Sequence, residues 1–494
     1  MTYDEYRRAL IDQYYDYQLE SFINGFAPGK PNVILLPGGM GSQLERTRQP
    51  FPTSPNVIND VVWMDLGIVA GDALTLEIDN EGRDYKSHVT GAHGPLSFAT
   101  MTPYNELKDF ARNQEWNYCV FGFDWRRSLA ESAGNFQRFI ENFDRGVKEK
   151  YGSSQEPIKA LTVVCHSMGG LVCTDALRNP NFARLGFQAI VTIATPFYGT
   201  STHQERYFRG VESLNDLNSY NRETVVRIIA TLPGPYTLML LPRVIYDRDG
   251  ASLGLTRYPQ YDHDNGTDAD PYDPAVMDRW PRPVRDHRQF LVQARDELWR
   301  VAEPIDKVIA PVFHNVRSSL DNTTAVELKW KNINGDVIPA GSSPLTGAPG
   351  PGDGTVPAWS AFHAHCRAAN RHELASAKAH GELLEHPEVL TLIKSLVRAA
   401  KRRAVAKRTR VPAVADRSKV ARVMATWSEK AKHNQPPPSG LFEEAVQRAF
   451  VTSLIAGDKP KMETAPKGLL RKREAVPPKK VSSPKKTPRR KQRR

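Results

Sequence analysis

Four cysteines, Cys119, Cys165, Cys173 and Cys366, are scattered irregularly through 494 residues. So few, so spaced, they exclude a disulfide framework and a CxxC zinc site, and buried reduced thiols are expected. No window approaches 18 uninterrupted apolar residues, so no membrane-spanning helix is expected. The opening MTYDEYRRALIDQYYDYQLESF has neither an apolar h-region nor a small-residue cleavage site. It does not read as a secretory signal, and the expected location is cytoplasmic, at most peripheral to a membrane. No internal repeat is found. Basic residues are scarce in the body of the chain. Residues 401–494 hold 27 of the 67 Lys and Arg but 7 of the 55 Asp and Glu, leaving 40 bases against 48 acids in the first 400. An acidic body carries a basic tail, and the net charge of +12 says nothing about the body's ligand.

What is present is a 40% hydrophobic chain able to build a sizeable core. Residues 3–24 read as a helix. Val33–Leu36, Tyr118–Phe123, Ile158–Cys165 and Ala189–Ala194 read as strands, and 135–150 and 168–178 as helices. Near-continuous apolar strands alternating with helices predict a mainly parallel, doubly wound α/β sheet covered on both faces. The alternation lapses between 200 and 305, a polar stretch rich in proline, tyrosine and aspartate, read as an inserted cap. Val308–Val316 should resume the sheet, 341–354 is a Gly/Pro/Ser-rich loop, and Leu383–Ala400 is a helix. The expected divisions are therefore an N-terminal helical segment (1–29), a first core part (30–199), a cap or lid (200–305), a second core part (306–400), a helical extension (401–456) and a disordered basic tail (457–494).

The chemistry is signalled at Cys165-His166-Ser167-Met168-Gly169-Gly170, which joins a strand to a helix. A nucleophilic serine needs exposure at a strand end, a base, and donors for an oxyanion, and a strand–Ser–helix elbow supplies the first. Such elbows read G-x-S-x-G. Here the second glycine is present and the first is a cysteine, small and often buried. In this chain order an acid and then a histidine should follow. Asp353, in Gly352-Asp353-Gly354-Thr355-Val356, is the first candidate acid, with Asp336 the runner-up. Of His363, His365, His372, His380 and His386, His380 is preferred because it immediately precedes the last amphipathic helix, with its stripe Leu384, Val389, Ile393 and Leu396. An ordinary turn with a satisfied hydroxyl is the plain alternative for Ser167, and an ordinary D-G turn for Asp353.

Together these segments resemble a known family. Pro37-Gly38-Gly39-Met40-Gly41-Ser42-Gln43-Leu44-Glu45, Val62-Trp63-Met64-Asp65, Asp124-Trp125-Arg126, Cys165–Gly170 and Gly352–Val356 are similar, in order, to signatures of the lecithin:cholesterol acyltransferase-like α/β-hydrolases. The resemblance spans about residues 30–400. It implies Ser167 as nucleophile, Asp353 as orienting acid, His380 as base, and the Gly39 and Met168 N–H groups as oxyanion hole. It implies hydrolysis of lipid esters or transfer of the acyl group to an alcohol through an acyl-serine intermediate, with no metal or organic cofactor. The chain departs from the family's secreted members in lacking paired cysteines, in Cys165, and in its basic extension. A rival reading is a non-catalytic binding protein on the same fold, tethered by its tail.

Three further stretches bear on partners. The aspartate-rich Tyr261–Asp273 lacks the glycine and closing glutamate of an EF-hand and reads as a solvated loop rather than a calcium site. His363-Ala364-His365-Cys366 offers three donors without a fourth for a metal. The apolar island Pro235–Pro242 reads equally as a lid over acyl chains or as packed core. The Lys/Arg-rich end is expected to meet an anionic membrane, worth about 1 kcal/mol per basic residue. It has no interleaved aromatics, which counts against nucleic acid, and a merely solubilising tail is the remaining alternative.

Overall fold

The apolar runs of the sequence become one six-stranded parallel sheet. The computed structural model describes residues 2–47, 58–63, 76–96, 104–209, 222–262, 266–319, 321–330, 345–376 and 379–405. In chain order its principal elements are α1 (Tyr3–Asn24), β1 (Asn32–Leu36), β2 (Ser42–Thr47), β3 (Ile58–Trp63), β4 (Thr90–Pro95), α2 (Asn105–Asn113), β5 (Asn117–Val120), α3 (Leu129–Tyr151), β6 (Leu161–His166), α4 (Met168–Ala176), β7 (Ala189–Ile193), α5 (Ser201–Arg209), α6 (Arg222–Ala230), β8 (Gln260–Asp262), α7 (Arg288–Val301), β9 (Phe313–Arg317), β10 (Asp321–Trp330), β11 (Leu345–Gly352), β12 (Arg371–Glu373) and α8 (Pro387–Val405).

The main sheet runs β12-β9-β7-β6-β1-β5, every neighbour parallel. Period-two alternation sends Ile34, Leu36, Val163, Cys165 and Ile190 to one face, where Phe136 and Phe139 of α3 and Leu171 of α4 meet them. Val33, Leu35, Val164, Val191 and Ile193 face the other way, against Leu107 of α2 and Val389 and Ile393 of α8. Burying each such aliphatic side chain contributes roughly 1.5–3 kcal/mol, so the expected double covering is what holds the sheet. Two small sheets flank it, β3-β2-β4 and β11-β10-β8.

Two expectations are corrected and two others are refined. The sheet resumes at Phe313, not Val308. Val308 is 54% exposed, in a turn that begins at Asp306, whose side chain accepts from the Val308 N–H. Within the 341–354 loop, Leu345–Gly352 is a strand paired antiparallel with β10. Its prolines are tolerated because it is an edge, where a missing N–H costs no ladder bond. The 200–305 stretch, expected as an inserted cap, is mostly helical among its described residues. In particular α7 packs with α3 and α4 of the helical layer, its buried Glu297 accepting from the Leu129 and Ala130 N–H groups at the start of α3. The apolar island divides between its two readings: Tyr236, Met239, Leu240 and Leu241 are fully buried as core, while Pro235 and Leu238 line the crevice at Ser167. Asp336, Met64, Asp65 and residues 406–494, with the basic tail, lie outside the described residues.

Candidate active site

β6 ends at His166, and the chain turns into α4 through Ser167, whose φ of 50° and ψ of −124° are unusual for a non-glycine residue. Such a backbone costs on the order of 1–3 kcal/mol and persists only when its surroundings enforce it. They do: the Ser167 N–H donates to the Ile193 carbonyl at 2.9 Å, and its own carbonyl accepts from Gly170 at 3.0 Å. The glycines after the serine are dictated by proximity. A Cβ on Gly169 would stand 2.4 Å from the Pro37 carbonyl oxygen, and one on Gly170 1.9 Å from Thr195 Oγ1. Position 165 faces no such constraint. Cys165 points into the core beside Cys173, one turn into α4, and burial pushes its thiol pKa well up, with Cys173 adding to the shift. It is a small packing residue, poorly suited to chemistry.

The structure brings Asp353 and His380 together. The His380 Nδ1–H donates to Asp353 Oδ2 at 2.8 Å, and the His380 N–H donates to the Asp353 carbonyl at 3.1 Å. The other carboxylate oxygen, Oδ1, accepts from the N–H groups of Thr355 at 3.0 Å and Val356 at 2.7 Å. The intervening Gly354 has φ of 87°, which explains the glycine after the acid. This geometry fixes the imidazole tautomer with Nδ1 protonated and Nε2 free to accept a proton. Ser167, His380, Gly39 and Met168 all line one crevice of about 580 Å³, open to solvent. Gly39 lies against Met168, a Cβ there falling 3.3 Å from Met168 Sδ. The serine, the histidine and both candidate oxyanion donors therefore share one concavity.

The other candidate histidines are occupied elsewhere. His363 is fully buried, Nε2 donating to the Val301 carbonyl and Nδ1 accepting from the His365 N–H, and burial lowers its pKa to about 3. His365 faces Asp249 at 3.5 Å, His372 pairs with His314 at 3.2 Å, and His386 with Ser376 at 2.7 Å. Among the described residues no three His, Cys, Asp or Glu gather as for a metal ion. The aspartates of 261–273 that are described serve locally. Asp270 accepts from the Arg243 and Tyr272 N–H groups, Asp268 pairs with Arg243, and Asp273 caps a short helix.

Sequence reading missed two groups at the site. Tyr104, on the loop before α2, accepts from the Gly38 N–H at 2.9 Å and meets His166 Nδ1 at 3.4 Å. His166 Nε2 in turn donates to the His380 carbonyl at 3.0 Å. The second group is a buried ion cluster beneath the wall of the crevice. Arg126 binds Asp124 and Asp84, each at 2.7 Å through Nη2, Arg127 reaches Asp84 at 2.8 Å, and Arg7 of α1 reaches Glu131 at 2.7 Å. Trp125, between these residues, lines the crevice and meets Trp63 edge-on at 5.2 Å, while the Trp63 Nε1–H donates to the Met40 carbonyl at 2.9 Å. Asp124-Trp125-Arg126 thus anchors a wall. The side chains of Asp84 and Arg126 are 42 residues apart in sequence, which hid the pairing.

Comparison with known proteins agrees with this architecture. Residues 96–231 match the model of a PGAP1-like alpha/beta domain. No curated protein matches the sequence. Among solved structures, the Tle4-Tli4 complex is similar at 13% identity, over 76% of this chain and 99% of that one, with a TM-score of 0.50. The mature Bacillus licheniformis lipase BlEst2 aligns at 12% identity over 75% and 93%, with a TM-score of 0.32, and the lin2722 product of Listeria innocua at 11% over 74% and 94%, with 0.30. These likenesses do not single out the lecithin:cholesterol acyltransferase-like group. With the parallel sheet order and the elbow between β6 and α4, the match over residues 96–231 and the Tle4-Tli4 likeness identify the fold of this chain as an α/β-hydrolase fold.

Proposed function

We propose that the chain is a serine esterase or lipase, or an O-acyltransferase of the lecithin:cholesterol acyltransferase-like kind, acting on lipid carboxylic esters. The observation that carries this reading is the Asp353–His380 pair, at 2.8 Å, opening on the same crevice as a serine held at positive φ. In this reading Ser167 Oγ attacks the ester carbonyl while His380 Nε2 takes its proton. Asp353 stabilises the imidazolium, and the Gly39 and Met168 N–H groups receive the oxyanion. His380 then returns the proton to the departing alcohol, leaving an acyl-serine. Water or a second alcohol, deprotonated by the same histidine, releases the acyl group.

The lipidic substrate is supported by a second crevice of about 530 Å³, which shares Met40, Trp125, His203, Arg206 and Pro235 with the first and is otherwise lined by Trp63, Leu76, Val225, Ile228, Ile229 and Leu232. That unshared part is a wall for hydrocarbon. The basic tail is read as an electrostatic attachment to anionic membrane. The test is labelling by a fluorophosphonate. A phosphonylated peptide containing Ser167 is expected, lost in Ser167→Ala, and an unlabelled wild-type protein would sink the reading. Product analysis with and without a long-chain alcohol then separates hydrolysis from transfer.

A further inference from the structure

α5 begins beside the candidate triad. Its start is fixed there by Thr200, whose N–H donates to the Leu238 carbonyl at 2.9 Å and whose hydroxyl donates to the carbonyl of Thr355, two residues past Asp353. One turn on, His203 lines the same crevice as Ser167 and His380. It is 8% exposed, and among the described residues its buried Nε2 has no hydrogen-bond partner. Burial, then the charge of Arg206 one turn further along, drives its pKa far down, so the ring is neutral. A neutral imidazole has one nitrogen that donates and one that accepts. The Pro235 carbonyl beside the ring can only accept, and it draws the ring's single hydrogen. The nitrogen left over is an acceptor. Buried polar atoms are normally paired, because an unpaired one keeps the full cost of leaving water. What His203 lacks is a donor, and it lacks it in the crevice where the reaction takes place.

We infer that His203 holds the water that releases the acyl group from Ser167, and so biases the site toward hydrolysis over transfer to an alcohol. The inference rests on the proposed ester chemistry and chooses between its two endings. In that step the water oxygen bonds to the acyl carbon, one of its hydrogens passes to His380 Nε2, and the carbonyl electrons move to the oxygen held by Gly39 and Met168. The carbon–oxygen bond to Ser167 then breaks, Oγ takes the hydrogen back from His380, and the free acid leaves. Water keeps a second hydrogen throughout, and His203 offers the acceptor for it. An alcohol has one hydrogen on its oxygen. Once that hydrogen is committed to His380, the His203 acceptor meets an alkyl group and stays unpaired. A site built to bond a hydrogen that a rival lacks rejects the rival strongly. Arg206 supports the role, because a protonated His203 would have no acceptor to offer and the guanidinium opposes that protonation.

The test follows both halves of the reaction with nitrophenyl butyrate, with and without methanol. The burst of nitrophenol reports formation of the acyl-serine, and the steady state reports its breakdown. The yields of butyrate and methyl butyrate show which nucleophile takes the acyl group. In dilute aqueous methanol wild type should give chiefly butyrate. His203→Leu should slow breakdown by water more than it slows formation. It should raise the ratio of methyl butyrate to butyrate by about 10- to 100-fold, the effect of no longer leaving a buried acceptor unpaired against the alcohol. His203→Gln, whose side-chain oxygen accepts, should bring most of that ratio back toward wild type. A merely structural role would lower both yields together and leave their ratio alone, and that result would overturn the inference. Methyl butyrate as the main product of wild type would also overturn it, a reading that stands even if His203→Leu fails to fold. Fluorophosphonate labelling of Ser167 is read in parallel. Labelling with an unmoved ratio defeats this inference alone, whereas no labelling defeats the ester chemistry beneath it.

Discussion

His166 donates through Nε2 to the main-chain oxygen of His380 at 3.0 Å, so the residue before the elbow serine holds the segment that carries the candidate base. Burial, then the neighbouring His380, depresses the His166 pKa to about 3, so the ring is neutral and keeps one donor and one acceptor. Its acceptor faces the Tyr104 hydroxyl, which itself accepts from Gly38 in the glycine turn. Three segments distant in sequence are joined by these bonds.

A positioning role for His166 has a distinct signature. His166→Ala should lower kcat about 10- to 100-fold with little change in KM, because a small displacement of the base harms the reaction more than binding. Tyr104→Phe should give a milder fall of the same kind. A fluorophosphonate labelling rate that falls in parallel with kcat is the check, since it reports the serine–histidine pair without the lipid. A fall in KM alone, or none at all, would remove His166 from this role.

Ser167→Ala should abolish ester cleavage, by on the order of 10⁴-fold or more in kcat, without unfolding the protein. His380→Ala should cost a similar amount, because members of such a triad act as a unit. His363→Ala should instead act on stability, by about 1–3 kcal/mol, since it leaves the Val301 carbonyl unpaired in the interior. Its activity per folded molecule should persist, as should that of the His365, His372 and His386 variants. Thermal melts run beside the kinetics separate the two effects, and an inactive but folded variant among those four would displace His380.

How far the sequence could be read follows from where the decisive contacts lie. The main strands were legible because their burial on both faces leaves unbroken apolar runs, as in Val33–Leu36. Ser167 and the turn around Asp353 were legible because their backbones demand glycine nearby, and those glycines are visible in sequence. The order of the two along the chain pointed to a histidine ahead of the last helix, and His380 does sit beside Asp353. β11 was not legible, because Leu345–Gly352 becomes a strand through its pairing with β10 rather than by propensity. Tyr104 and Asp84 carried no local signal. Each matters through partners that only the folded chain brings near.

Cys165→Gly should restore the usual elbow pattern and keep kcat within about twofold. It should cost roughly 1–3 kcal/mol of stability, from the lost buried side chain and the looser strand. In the native wild type the thiol should resist iodoacetamide, since burial, with Cys173 beside it, keeps it protonated. Loss of turnover in a folded Cys165→Gly protein would give the thiol a chemical role.

The basic tail predicts a salt-dependent attachment. Truncation after Gly457 removes most of the terminal Lys and Arg and none of Ser167, Asp353 or His380. Cleavage of a soluble short-chain ester should be nearly unchanged. Co-sedimentation with vesicles containing an anionic phospholipid should weaken, and added salt should weaken the full-length protein's binding in the same direction. Equal binding by both proteins at every salt concentration would exclude the tail as a membrane attachment.

Acid should destabilise the fold in two stages. His166 and His363 are buried and neutral, each with its pKa lowered to about 3, first by burial. The unfolded chain takes up their protons near the ordinary value of about 6.5, where the folded chain does not. Stability should therefore fall as the pH drops below about 6.5, with a slope of up to ~1.4 kcal/mol per pH unit for each histidine, levelling off toward the folded values. Asp84 follows. Burial alone would raise its pKa, but Arg127, Arg126 and Arg7 together hold it well below the usual carboxylate range. Its contribution is present above the unfolded carboxylate pKa of about 4 and is lost as the pH falls further toward the folded value. Denaturant midpoints measured from pH 8 to 3 should show a decline beginning near 6.5. His363→Gln should make that first decline shallower, because one titrating group is gone. Asp84→Asn should remove the second stage, at the cost of leaving its three arginines without their shared carboxylate. A midpoint constant from pH 8 to 4.5 would mean that His166 and His363 do not stay neutral in the folded protein.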